Sequence, residues 1–193
     1  MIRESIVTTL GPDGTPHIAP IGVIVEAEGL VIAPFRPSAT LDNLIARRHA
    51  VVNYTDDVRV FAGCISGKKR DWPVRAAERV NGVVLEAALA HEEVELAELR
   101  EDAQRPRLLC RTVHAVNSAP FRGFNRAQSA VIEAAILASR LSLLPRDKVE
   151  REIAYLSIGI EKTSGPRERE AWGWVMHMIE SYYKEPERKV SRR

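Results

Sequence analysis

The stretch Pro16-His17-Ile18-Ala19-Pro20-Ile21-Gly22-Val23-Ile24-Val25 decides the fold, together with Leu30-Val31-Ile32-Ala33-Pro34-Phe35, the loop Arg36-Pro37-Ser38-Ala39-Thr40 and the segment Leu41–His49. The first run is a strand carrying a proline, which cannot donate to a ladder, and a glycine without a side chain, so pairing is interrupted where backbone lies open. A flat ligand fits such a surface. The second strand delivers Arg36, Ser38 and Thr40 to the mouth of a helix over Leu41–His49, where free N–H groups and a guanidinium favour a dianion. A ring platform beside a phosphate loop points to flavin mononucleotide (FMN).

Working outward, Ser5–Leu10 and Pro16–Val25 flank the turn sequence Gly11-Pro12-Asp13-Gly14 and read as a hairpin. Ala50–Thr55 is a buried strand that Asp56-Asp57 terminates. Lys68–Arg79 is polar, broken by Trp72-Pro73, and reads as an exposed excursion of doubtful order. Val83–Asp102 has helical periodicity, yet the β-rich run Arg107–Val116 follows a Gln-Arg-Pro turn, so a hairpin with the preceding segment is the better architecture.

Helices dominate from Asn125, the expected N-cap of a helix over Arg126–Leu144 that Pro145 ends. A second runs Asp147–Thr163 and stops at Gly165-Pro166. A third over Glu168–Tyr183 presents Trp172, Val175, Met178, Ile179 and Tyr182 together. Residues 185–193 form a polar tail with little to bury. The expected organisation is a barrel part over 1–123, a helical part over 124–184 packed on it, and the tail.

Composition sets the outer bounds. The chain has 193 residues, 45% of them hydrophobic and 28% charged, with a net charge of +2, which is ordinary globular composition and gives no global field for nucleic acid. The basic runs Lys68-Lys69-Arg70 and Arg188-Lys189-Arg192-Arg193 lack interleaved aromatics and read as solvated faces. Cys64 and Cys110 stand apart from each other and from ligand-spaced histidines, so neither a metal nor a disulfide framework is expected, and a cytoplasmic setting is. No apolar run approaches the ~18 residues that span a bilayer. GxGxxG, GxxxxGK[ST] and GxSxG patterns are absent from the sequence, which leaves the chemistry to a bound cofactor.

Several residues have structural readings beside the functional ones. Thr40 is a candidate helix cap, Ala19–Gly22 an edge strand with a bulge, His17 a satisfied surface histidine, and the Trp172, Trp174, Tyr182, Tyr183 stripe core or subunit contact. Glu133, within an apolar helix, reads as a buried carboxylate paired with Arg126 or Arg140.

The Ala-Pro-Ile-Gly-Val strand, the Pro-Phe-Arg-Pro-Ser-Ala-Thr-Leu-Asp-Asn-Leu loop and helix, Val51–Asp57, Phe124-Asn125-Arg126-Ala127 with Val131–Ala134, and Glu161–Gly165 occur in this order. In that order they resemble the family grouped as domain of unknown function 447. The resemblance implies an α+β, mainly β fold: an FMN-binding split barrel of Greek-key type, related to flavin reductases and pyridoxamine-phosphate oxidases, with a helical C-terminal third. It implies Ala19, Pro20, Ile21 and Gly22 under the isoalloxazine, Arg36, Ser38 and Thr40 around the phosphate, and Asn53, Asn125 and Arg126 completing the pocket; Lys162, a lysine beside the Thr163-Ser164-Gly165 turn, is a candidate for an anionic substrate group. It further implies a homodimer with flavin at the subunit interface and an FMN-dependent oxidoreductase acting on a small planar substrate, linked to tetrahydromethanopterin or one-carbon metabolism. The alternative is a flavin- or pterin-binding protein without turnover. No metal, nucleic-acid or membrane partner is expected.

Overall fold

A computed structural model of the chain describes residues 1–184; the expected polar tail lies outside the described residues. The chain divides into two units: Met1–Asp56 with Asp71–Arg122, and Asp57–Arg70 with the chain from Gly123 onward.

The first unit is a closed six-stranded antiparallel barrel. Its strands are β1 (Ile2–Leu10), β2 (Pro16–Glu26), β3 (Gly29–Ile32), β4 (His49–Tyr54), β7 (Ala90–Arg100) and β8 (Arg107–Asn117), in the order β1-β2-β3-β8-β7-β4. The expected hairpin forms, with Ile6 opposite Pro20 and Val7 opposite Ala19. Period-2 alternation sends Val7, Val23, Leu30, Ile32, Val52, Val94, Leu96, Leu108 and Cys110 into one core. Gly29 is required where β2 turns into β3: at φ +146°, an added Cβ would lie 2.4 Å from the carbonyl oxygen of Cys110.

Val83–Asp102 is extended, as the hairpin reading requires. It opens with β6 (Val83–Leu85) and continues as β7, which pairs along its length with β8 through two bulges, between Glu93 and Val94 and between Leu96 and Glu98. The stretch read as a loose excursion is ordered. Trp72 is buried, and β5 (Val74–Ala76) pairs with β6. Three backbone N–H groups of the following turn, from Glu78, Arg79 and Val80, donate to the Glu93 carboxylate at 2.8, 2.6 and 2.9 Å. An anion on the barrel wall thus organises a segment whose own sequence has little local preference.

The helix after β3 is α1 (Ala39–Arg47), starting two residues earlier than expected and ending at Arg48, whose φ of 63° is left-handed; His49 opens β4 instead. Ser38, not Thr40, is the N-cap.

The second unit is helical. Its α3 (Arg126–Ala138), α4 (Arg146–Thr163) and α5 (Pro166–Lys184) follow the expected order, although α3 stops at Ala138 rather than running on to Leu144. Pro166 is the first residue of α5, where its missing N–H costs nothing. A fourth helix, α2 (Val58–Ser66), was not foreseen. Asp57, read as a strand terminator, is its N-cap, accepting from the Arg59 N–H at 3.2 Å and pairing with the Arg59 guanidinium at 2.7 Å. The core gathers Val58 and Ala62 from α2, a small-residue stripe from α3 (Ala127, Ala130, Ala134, Ala138), Val149 and Ile160 from α4, and Ala171, Val175 and Ile179 from α5. Trp172, Trp174, Tyr182 and Tyr183 pack against that core. Glu133 is exposed, because α3 turns it away from the alanine stripe, so the buried-carboxylate reading is corrected.

Candidate functional site

The loop joining β3 to α1 is held open against the β7–β8 connection. The Ala33 carbonyl accepts from Arg105 Nε at 2.9 Å, and the Arg105 guanidinium lies 4.8 Å from the Phe35 ring centre. The Arg36 N–H donates to the Gln104 carbonyl at 2.9 Å, while its guanidinium pairs with Glu101 at 2.9 Å. Asp102 caps the opposing turn by accepting from the N–H groups of Gln104 and Arg105 at 2.9 and 2.7 Å; these bonds hold its carboxyl below the usual range.

At the end of this loop Ser38 Oγ accepts from the Leu41 N–H at 3.3 Å, and its carbonyl takes the Asp42 N–H at 3.1 Å. Helix geometry leaves the N–H groups of Ala39 and Thr40 without an intrahelical acceptor. Two backbone donors and the Ser38 side chain therefore stand at the mouth of a helix of nine residues, with Arg36 two residues before the cap. Thr40 itself is buried, so its contribution is through backbone.

On β2 the pleat separates the four expected ring contacts. Ala19 pairs with the core residue Val7, and Ile21, whose carbonyl accepts from Ser5 Oγ at 2.8 Å, packs on the barrel core, so both side chains point inward. Pro20 and Gly22 face outward, in line with the half-buried Ile18 and Ile24. A Cβ on Gly22 would lie 2.9 Å from Ile2 Cγ2 and 3.3 Å from Glu4 Oε1. The glycine thus makes room for two exposed, movable side-chain ends across the ladder.

Asn53 is fully buried and structurally committed. Its Nδ2 donates to the Ile6 carbonyl at 3.0 Å and Thr8 Oγ1 at 3.1 Å, and its Oδ1 accepts from the Leu85 N–H at 2.8 Å. These bonds tie β4 to β1 and β6 and commit the Asn53 amide within the chain. Asn125 is likewise occupied: Oδ1 caps α3 through the Ala127 N–H at 2.8 Å, and Nδ2 donates to the Thr163 carbonyl at 3.1 Å. The last bond brings the start of α3 to the end of α4, so the two sequence blocks around Asn125 and Thr163 meet. Arg126 and Lys162 are both exposed beside that junction. Arg126 also lines a cavity of about 220 Å³ with Ser129, Glu133 and Tyr155.

The cysteines offer no reactive thiol. Both are buried, and burial pushes the Cys110 thiol up to about 12. Among the described residues no cluster of His, Cys, Asp or Glu is arranged to hold a metal ion, and no helix is long and apolar enough to cross a membrane.

Residues 3–119 match the model of the N-terminal domain of the protein family of unknown function DUF447, and residues 125–177 match its C-terminal domain. The chain belongs to the DUF447 family. The crystal structure of an FMN-bound DUF447 protein from Methanosarcina mazei superimposes with a TM-score of 0.79 at 23% identity, covering 92% of this chain and 94% of that one. Flavoredoxin from Methanosarcina acetivorans matches with a TM-score of 0.53 at 17% identity, over 61% of this chain and 69% of its own. The 2-nitrobenzoate 2-nitroreductase of Pseudomonas fluorescens matches with a TM-score of 0.51 at 21% identity, over 58% and 63%. No curated protein matches the DUF447 chain. These likenesses establish the flavin-reductase type of split barrel as its fold.

Proposed function

We propose that this DUF447 protein binds FMN and works as a flavin-dependent oxidoreductase on a small planar substrate. The observation that carries the reading is the mouth of α1, where the Ala39 and Thr40 N–H groups have no intrahelical acceptor and Ser38 is the N-cap, two residues after Arg36, in a family with an FMN-bound member. A phosphate monoester dianion matches that donor set. The ring would lie on the outward face of β2, where Pro20 leaves a ladder position without a donor and Gly22 keeps the backbone close to the surface. Ala19 and Ile21 serve it through their backbone only. Bound FMN would supply hydride transfer, and the protein's share is orientation and electrostatics.

The assembly that completes this site is a homodimer with one flavin at each of two equivalent positions, the phosphate loop from one protomer and Arg126 from its partner. Arg126 then offers a fixed positive charge to the polar edge of the ring, and Lys162 a second to an anionic substrate group. An absorbance scan of the purified protein, before and after addition of FMN, tests the cofactor. A protein that neither carries nor takes up flavin overturns the reading. Light scattering on dilution, with flavin fluorescence followed in parallel, tests the shared site: occupancy and dimer should fall together, because a ligand held only by the assembled form stabilises that form.

One observation favours a second reading. The residues proposed around the flavin, Ala19 to Gly22, Arg36, Ser38, Thr40 and Arg126, include no carboxylate, histidine or cysteine to act as acid, base or nucleophile. The same set would serve a flavin or pterin carrier without turnover. Bleaching of the bound flavin by a reduced nicotinamide, followed by reoxidation with a pterin or another flat acceptor, separates oxidoreductase from carrier.

A further inference from the structure

The barrel has a polar end. Along β7, Val94 and Leu96 point into the core and Glu92 stands at the next inward position, opposite Val52 of β4. Along β1, Val7 points inward and Arg3, paired with the core residue Val23, takes the inward position at the same end. Arg3 and Glu92 line a cavity of about 500 Å³ with Val25, Leu30, Tyr54 and Thr112.

An inward glutamate in a small barrel needs a reason, since burying polar groups opposes folding unless they are satisfied. Glu92 is held by two neutral donors: the Tyr54 hydroxyl donates to Oε1 at 2.8 Å and the Thr112 hydroxyl to Oε2 at 2.6 Å. Burial, then the bond to Glu92, raise the Tyr54 phenol above its ordinary range, so it remains a donor. Each carboxylate oxygen keeps a further acceptor site. The other charges at the rim are compensated by residues away from the cavity: Glu26 by Arg107 at 2.6 Å, Glu28 by Arg100 at 3.5 Å, and Arg111 by Glu95 at 2.8 Å. Arg3 has no ion pair among the described residues. One orientated anion and one uncompensated cation therefore face the same opening, with the aliphatic walls of Val25 and Leu30 between polar groups. Pockets of this size with few convergent polar groups are the usual setting for a small ligand.

We propose that this end of the barrel binds a small zwitterion of the amino-acid type, its ammonium on Glu92, its carboxylate on Arg3 and an aliphatic side chain against Val25 and Leu30. The ammonium donates to the acceptor sites that Tyr54 and Thr112 leave free on the two Glu92 oxygens, and the carboxylate accepts from the guanidinium fork. The site is distinct from the α1 mouth and does not depend on the flavin reading.

Isothermal titration of the full-length protein with L-leucine, 4-methylpentanoate and 3-methylbutylamine tests it, because the second compound lacks the ammonium and the third the carboxylate. Leucine should bind at least about tenfold more tightly than either, a difference of about 1.4 kcal/mol. Glu92→Gln keeps an acceptor for one hydroxyl and should erase the preference for leucine over 4-methylpentanoate. Arg3→Met, at an exposed position that folding does not require, should erase the preference over 3-methylbutylamine. Equal binding of the three compounds, absence of leucine binding at about 10 mM, where affinities weaker than the ~4 kcal/mol of a millimolar complex escape detection, or unchanged preferences in both variants would overturn the proposal.

Discussion

Removing Arg36 should separate two ligands that differ only by a phosphate. In the free protein the Arg36 guanidinium is tied to Glu101 at 2.9 Å, with the two side chains 39% and 66% exposed. An exposed pair of this kind stabilises by about 0–1 kcal/mol. A charge-assisted contact to a phosphate dianion contributes about 1.5–3 kcal/mol. Exchange of one partner for the other leaves a net contribution of about 1–2 kcal/mol, or roughly 5- to 30-fold in affinity.

Arg36→Ala should therefore weaken FMN binding by that factor and leave riboflavin binding unchanged, both read by flavin fluorescence titration. The fold is spared, because the Arg36 N–H bond to Gln104 is a backbone contact that alanine retains. The same arithmetic gives a gain-of-affinity variant. Glu101→Gln releases the guanidinium and removes a like charge from the phosphate's surroundings, so FMN should bind up to about fivefold more tightly, an effect that shrinks as salt rises. Equal loss of both ligands in Arg36→Ala would refute the phosphate assignment, whatever Glu101→Gln does.

Gly22→Val should abolish flavin uptake while moving the thermal midpoint little, since the new side chain meets only the movable ends of Ile2 and Glu4; a yellow variant would remove β2 as the ring platform. Glu93→Gln should cost about 2–3 kcal/mol in urea unfolding, because an amide turns a donor toward N–H groups that the carboxylate accepted, and a loss under about 0.5 kcal/mol would show that the turn does not depend on it. Stability should fall in two acid steps. His91, whose pKa burial and then the Arg75 charge lower, folds with the neutral ring, so its contribution is complete above the unfolded value of 6.5 and declines below it. Glu93 has its pKa raised by burial but lowered more by three backbone bonds, so its share is complete above the ordinary 4.5 and declines as pH falls through the folded value. His91→Phe should flatten the first step and leave neutral-pH stability nearly intact, because neither ring nitrogen of His91 has a hydrogen-bond partner among the described residues and Nε2 only approaches Glu93, at 3.7 Å; an unchanged pH profile would assign the step elsewhere.

What the sequence disclosed follows from which signals are local. The β1–β2 hairpin was legible because Gly11–Gly14 is turn chemistry between two alternating runs, and the α3 start because Asn125 is a strong cap. The helix after β3 was legible because a polar loop precedes a periodic run, with Ser38 as its cap. Helix α2 was not, since its β-branched Val58, Val60 and Ile65 resemble a strand; Asp57 before the run and Gly67 after it were the available signals, and they are the helix's two caps. The resemblance carried Thr40 and Asn53 to the pocket by position alone; that both side chains are buried is a tertiary property, which no local pattern encodes. The order of the 68–79 stretch depends on Glu93, distant in sequence, and no local pattern could have revealed it.

The run Glu92-Glu93-Val94-Glu95 shows how far the pleat, rather than residue type, sets a carboxylate's role. Glu92 points inward at the end of the barrel and meets only neutral hydroxyls, so its charge is orientated but uncompensated, which suits a ligand. Glu93, one residue on, points outward under the β5–β6 segment and accepts three backbone N–H groups, so its charge is spent on structure. Glu95 points outward into solvent and pairs with the exposed Arg111, an arrangement that contributes little. Glu-to-Gln changes at these positions should then separate cleanly. At Glu92 the cost appears in ligand preference, at Glu93 in unfolding free energy, and at Glu95 in neither. A stability cost at Glu92 as large as that at Glu93 would mean that the inward carboxylate is a strut for Tyr54 and Thr112, and the polar end of the barrel would lose its case as a binding site.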